Sequence, residues 1–145
     1  SMPLLRMKEL KYIIEKAKID YVLTDTRLIE EILVTQKYSE HSFSLFTFSE
    51  LGEGEEDIDS LASQKESYFE SVLTYGSDPA IIAFTSGTTG ISKGTIHTHH
   101  NLIAICDLFP KQVLGLTKED ICCGSPPIAF TFGLGGLVLF PLRYG

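Results

Sequence analysis

The chain has 145 residues, 43% hydrophobic and 21% charged, a balance that can build a core and excludes wholesale disorder. Its formal net charge is −7 and no cluster of Lys or Arg stands out, so the basic footprint of a nucleic-acid binder is missing. The charge is also uneven: residues 1–78 carry 16 of the 19 acids and 8 of the 12 bases, leaving 79–145 nearly neutral and less repellent to an anionic ligand.

KELKYIIEKAK opens the chain with Leu10, Ile13, Ile14 and Ala17 at helical spacing. YVLTD (21–25) reads as a short buried strand, and TRLIEEILVTQ returns to helix with Leu28, Ile29, Ile32 and Leu33 on one face. SFSLFTF (42–48) is aromatic and alternating, hence a strand. SELGEGEEDIDS is an acidic loop without the spacing of a cation-binding loop, and SLASQKESYFESVL is expected to be helical. AIIAF (80–84) is a buried strand, and another is expected near Gly94–Thr98. NLIAICDLFPKQVL has a helical pattern that Pro110 should kink or break. EDICCGSPP is expected to be a strand ending in a turn, and FGLGGLVLFPLRY a buried helix. The alternation of helices with short apolar strands predicts an α/β fold: a mainly parallel sheet flanked by helices.

Cys106, Cys122 and Cys123 do not form a disulfide framework, and reduced thiols in a cytoplasmic protein are the simple reading. No apolar stretch is long and unbroken enough to predict a membrane span. Ser1-Met2 reads as an added residue before a start methionine. The apolar ending LVLFPLRYG reads as an interruption, so the sequence is expected to be a piece of a longer polypeptide.

Between AIIAF and the following strand lies TSGTTGISKG. Gly87, Gly90 and Gly94 let the backbone turn and present N–H groups to an anion. Thr85, Ser86, Thr88, Thr89 and Ser92 add hydroxyls, and Lys93 adds a full charge. Many neutral donors with one cation suit a polyphosphate. The P-loop of nucleoside triphosphatases is the competing motif. It needs Gly before the lysine and Ser or Thr after it, where this chain has Ser92 and Gly94, and it opens a helix rather than a strand. His97, His99 and His100 suggest a metal, but no other ligand stands near them in sequence and the expectation is none.

TSGTTGISKG resembles the phosphate-loop motif of adenylate-forming (AMP-binding) enzymes, the acyl- and aryl-CoA ligases among them, usually T-S-G-T-T-G-x-P-K-G. Here Ser92 replaces the proline, and in the continuation TIHTHHNL His100 stands where arginine is common. CGSPPIAFTFGLGGLVLFPLRYG resembles the next motif of that family, in wording closest to benzoate- and 2-aminobenzoate-CoA ligases. The resemblance covers nearly the whole chain, strongly from Ala80 onward and weakly over 35–75. It implies that Thr85, Ser86, Gly87, Thr88, Thr89, Gly90 and Lys93 hold the ATP phosphates, with Gly94 allowing the turn into the strand. It also implies that Phe130, Phe132, Gly133, Leu134 and Gly135 shape the acyl pocket, where plain core packing is the other reading.

The implied reaction joins a small carboxylate, benzoate or 2-aminobenzoate by wording, to AMP and then to CoA, with ATP and Mg2+ as cofactors. The resemblance further implies that residues 1–145 are part of the large N-terminal domain, without the C-terminal domain and without catalytic residues of their own. The isolated chain is therefore expected to fold but to be inactive. A P-loop NTPase and a non-catalytic remnant keeping the fold are the alternatives.

Overall fold

The computed structural model describes residues 3–49, 57–85 and 91–145. Two compact units form, residues 1–71 and 72–145.

In the first unit, helix α1 (Met7–Ala17) and strand β1 (Tyr21–Asp25) precede a 3-10 turn (Thr26–Leu28), helix α2 (Ile29–Tyr38) and strand β2 (Ser44–Phe48). β1 and β2 pair in parallel, Val22 beside Leu45 and Thr24 beside Thr47, so β1–α2–β2 is a crossover unit. Leu10 and Ile14 of α1, Ile32 of α2 and Phe43 form the core, with Leu5, Ile19, Val22 and Leu45 packed on it. The spacing of 10 and 14 puts both α1 residues on one face, as the sequence pattern requires. Glu31 ties the two helices: its carboxylate accepts from the Met7 backbone N–H at 3.0 Å and pairs with Arg6 at 3.3 Å. Asp25 starts the turn into α2 by accepting from the Arg27 backbone N–H at 2.8 Å. Hydrogen bonds from the Arg27 guanidinium, then that backbone bond, hold the Asp25 carboxyl down at about 2.

The second unit opens on a β-hairpin. Strands β3 (Pro79–Thr85) and β4 (Lys93–Thr98) pair antiparallel, with Ile82 opposite Ile96 and Phe84 opposite Gly94. Helix α4 (His99–Leu108) follows without a break. Its start is capped reciprocally: Thr98 Oγ1 accepts from the Asn101 N–H at 3.3 Å, and Asn101 Oδ1 accepts from the Thr98 N–H at 2.9 Å. The next two orphan donors are also met, since the His99 and His100 N–H groups bond to the carbonyls of Asp78 and Gly76. α4 then widens into a π-helical turn over Phe109–Leu114, with Pro110 buried in its first turn and Gly115 closing it at φ +65°. The chain ends in a continuous helix built from α5 (Thr131–Leu134), a second π-helical turn (Gly135–Leu139) and α6 (Phe140–Tyr144).

The α/β class and most elements follow the sequence reading. Pairing divides evenly among the described residues, one parallel pair and one antiparallel pair. Two elements differ. SLASQKESYFESVL is helical only at its start, in α3 (Ile58–Ser63). Beyond it Tyr68, Phe69, Val72 and Leu73 are all exposed, so no packed face sustains a helix there. EDICCGSPP forms no strand: Ile121 is exposed, and no ladder pairing reaches the segment. Of the acidic loop, residues 50–56 lie outside the described residues.

Among the described residues, Lys18, which closes α1, is the non-glycine residue with a left-handed backbone, at φ 54°. Replacing Lys18 by Gly should raise stability by about 0.5–1 kcal/mol, because it removes a Cβ from that conformation. Urea denaturation of the two proteins measures it, and a loss of stability would contradict this account of the cap.

Candidate functional site

The hairpin determines where the glycine-hydroxyl segment sits. The β3–β4 ladder ends with Thr85 directly opposite Lys93, and the glycine-hydroxyl segment stands between them in sequence. Thr85 and Lys93 are both exposed at this mouth. Ser86, Gly87, Thr88, Thr89 and Gly90 lie outside the described residues. Gly94, one residue inside the ladder, packs under its neighbours: a Cβ there would stand 3.1 Å from Ile82 Cγ2 and 3.3 Å from Phe84 Cζ. The Phe84 ring covers the glycine opposite it, a cross-strand device that holds register where a side chain is missing.

Lys93 begins a strand. In a P-loop the lysine stands at the opening of a helix whose N-terminus meets the phosphates. The geometry here therefore removes the P-loop alternative. A strand lysine facing a strand threonine can close around an anion held by the loop between them, its charge being the mobile one in reach.

The second group of residues lies at the start of the C-terminal helix. Phe130 is its N-cap, Phe132 is 77% exposed in the first turn, and Leu134 is half-buried. Gly133 and Gly135 are buried. Their missing side chains do not leave open room. A Cβ on Gly133 would fall 2.2 Å from the Pro127 carbonyl oxygen and 2.7 Å from that of Pro126, and one on Gly135 would fall 3.3 Å from Phe140 Cζ. Gly133 is thus needed so that the Pro126–Pro127 backbone can lie directly on the helix. Gly133 and Gly135 serve close packing, while Phe130 and Phe132 are exposed.

The far end of that helix is bound to α4, an arrangement absent from the sequence reading. The Arg143 guanidinium forks onto Asp107, Nε to Oδ1 at 3.0 Å and Nη2 to Oδ2 at 3.2 Å. The Tyr144 hydroxyl donates to the Cys106 carbonyl at 2.8 Å, and the buried Cys106 thiol points at the Leu139 carbonyl at 3.7 Å. The hydrogen bond from Arg143 holds the Asp107 carboxyl below its usual range, and the same bond pushes Arg143 up. Burial pushes the Cys106 thiol and the Tyr144 phenol up. The three cysteines are unbridged. Among the described residues, no group of three His, Cys, Asp or Glu could hold a metal, and no helix is long and apolar enough to cross a membrane.

Comparison with known proteins gives the family and the fold. Residues 2–145 match the family described as AMP-binding enzyme, and the chain belongs to that family. It is 33% identical over 94 residues to a benzoate–CoA ligase of Thauera aromatica, a match covering 65% of this chain and 18% of the ligase. It is 42% identical over 71 residues to a p-hydroxybenzoic acid–AMP ligase of Mycobacterium marinum, covering 48% of this chain and 10% of that protein. The fold superposes on the anthranilate CoA ligase AuaEII, solved with anthranoyl-AMP, with a TM-score of 0.88 at 24% identity, covering 98% of this chain and 28% of that one. The chain therefore spans less than a third of each of these relatives.

Two outcomes test the geometry. Gly133→Ala should cost about 3 kcal/mol or more, because the clash is with backbone that cannot turn aside. Thermal melts check this, and a near-neutral result would show that the Pro126–Pro127 contact yields. Asp107 binds its proton less tightly when folded, so its pairing is complete above the ordinary aspartate range near 4 and is lost as pH falls through the lower folded value. An NMR titration should find the Asp107 midpoint below about 3.9 and returned toward it in Arg143→Ala.

Proposed function

We propose that the protein carrying this chain is an ATP-dependent ligase for a small aromatic carboxylate. The chain forms part of its large N-terminal domain. The carboxylate attacks the α-phosphorus of ATP, giving an acyl-adenylate and releasing pyrophosphate. A CoA thiol then attacks the acyl carbon, AMP leaves, and a thioester remains. The observation that carries this reading is the hairpin in which Thr85 faces Lys93 across a glycine-hydroxyl loop, in a chain of the AMP-binding family.

The loop's contribution is electrostatic. Thr85 and Lys93, with Ser86, Gly87, Thr88, Thr89 and Gly90 between them, hold the β- and γ-phosphates, and Gly94 lets the hairpin close beneath them. Their donors face the charge that grows on the departing pyrophosphate, where one well-placed donor contributes about 3 kcal/mol to the barrier. Mg2+ bound with the nucleotide would neutralise part of the phosphate charge beside Lys93. Phe130 and Phe132, outward at the helix start, with Gly133, Leu134 and Gly135 behind them, form one wall for an apolar ring. The named acids of the relatives, benzoate, p-hydroxybenzoate and anthranilate, support an aromatic acid. Three unbridged cysteines and the need for ATP and CoA support a cytoplasmic setting.

Carboxylate-dependent ATP–pyrophosphate exchange on the full-length protein tests the first step. Exchange should require an aromatic acid, and Lys93→Ala should lower it roughly 100-fold. Exchange without added acid, or none with any acid, overturns the reading. Adding CoA should then convert the bound adenylate to a thioester. If the adenylate persists with CoA present, the acceptor is another group, as the AMP-ligase relative raises.

A further inference from the structure

We propose that Asp107, Arg143 and Tyr144 are positioning residues: a latch that places the acyl-pocket wall relative to the phosphate loop. This deepens the ligase reading and rests on it.

The argument follows one mechanical path inside residues 72–145. β4 begins at Lys93 and runs into α4 through the Thr98–Asn101 cap. The start of α4 is held again by the carbonyls of Gly76 and Asp78. α4 is therefore fixed in the frame of the phosphate loop. At its other end, consecutive residues Cys106 and Asp107 take hold of the C-terminal helix through the Arg143 fork and the Tyr144 hydroxyl. That helix starts at Phe130 and Phe132, roughly 20 Å from Arg143 by helical rise. Its first turn is in backbone contact with Pro126 and Pro127 because residue 133 has no Cβ. A slide or roll of the helix at Arg143 must then displace Phe130, Phe132 and the Pro-Pro turn together.

A fold-stabilising role accounts poorly for the fork. Both partners are more than a third exposed, and exposed pairs add little to stability. Their bidentate geometry is directional, which suits fixing an orientation. Adenylation needs that orientation, because the carboxylate must sit within attack distance of the α-phosphorus while the phosphates are gripped elsewhere. Loosening the latch should therefore impair the carboxylate and leave ATP almost untouched.

The test is a double-mutant cycle on the full-length protein: Asp107→Ala, Arg143→Ala and both together, with Tyr144→Phe as an independent variant. Each single change at the fork should raise KM for the aromatic acid about fivefold, with KM for ATP changed by less than about twofold, and the double variant should be no worse than either single. Tyr144→Phe should move the same constant in the same direction. Equal rises in both KM values, or additive single effects, would overturn the latch. Hydrogen exchange at residues 130–135 reads it without catalysis: faster exchange is expected in each fork variant, and unchanged exchange overturns it whatever the kinetics. If the wild-type protein shows no acid-dependent exchange of pyrophosphate, the ligase reading fails and the assignment to an acyl pocket falls with it. Hydrogen exchange would still report whether the helix is held.

Discussion

The antiparallel register that sets Thr85 opposite Lys93 is the constraint on which the candidate site depends. Side chains alternate along a strand, so a one-residue slip would turn Lys93 to the other face and change the span of the loop. Register in a two-stranded ribbon is weakly specified unless something fixes it. Here Ile82 meets Ile96, and Phe84 lies close over Gly94, where a further carbon would be crowded at 3.1–3.3 Å. Gly94 therefore aligns the hairpin, and the alignment keeps a cation and a hydroxyl at the loop's two ends.

From that hairpin the second unit is a series of elements each fixed to the next. The Thr98–Asn101 cap makes β4 and α4 one piece, and the Asp107–Arg143 fork joins α4 to the helix that presents Phe130 and Phe132. The hairpin proposed to meet the phosphates and the helix start proposed to meet the acid are thus joined through α4. An enzyme joining a carboxylate to a nucleotide needs such a connection, because its two substrates are gripped by different elements and must meet at one bond.

Much of this was legible before any coordinates. The strands expected at 21–25, 42–48, 80–84 and near 94–98 correspond to the observed 21–25, 44–48, 79–85 and 93–98, and α1 and α2 follow from their 3.6-residue spacing. Lys93 and its neighbours could be singled out because glycines and hydroxyls crowd around one charge. Other features could not be read. The stretch 64–75 is rich in apolar residues at helical spacing yet exposed, since pattern alone does not say whether a face finds a partner. EDICCGSPP (119–127) reads as a strand ending in a turn, yet Ile121 is exposed and finds no strand to pair with. Nothing local showed that a proline backbone and an aromatic ring press against the glycines at 133 and 135. The Asp107–Arg143 fork joins positions 36 apart, a distance over which no local pattern signals contact.

The wide turn at Gly135–Leu139 has a consequence for the helix that contains it. Phe140 reaches back to the Gly135 carbonyl, just ahead of Pro141, which has no N–H to give. Five residues close that turn where an α-helix uses four, so everything downstream is rotated by about 100° relative to an unbroken helix. The turn acts as a phase shifter: it lets one rod offer its early residues in one direction and Arg143 in another. A single-residue deletion there would keep the rod while aiming its two ends differently.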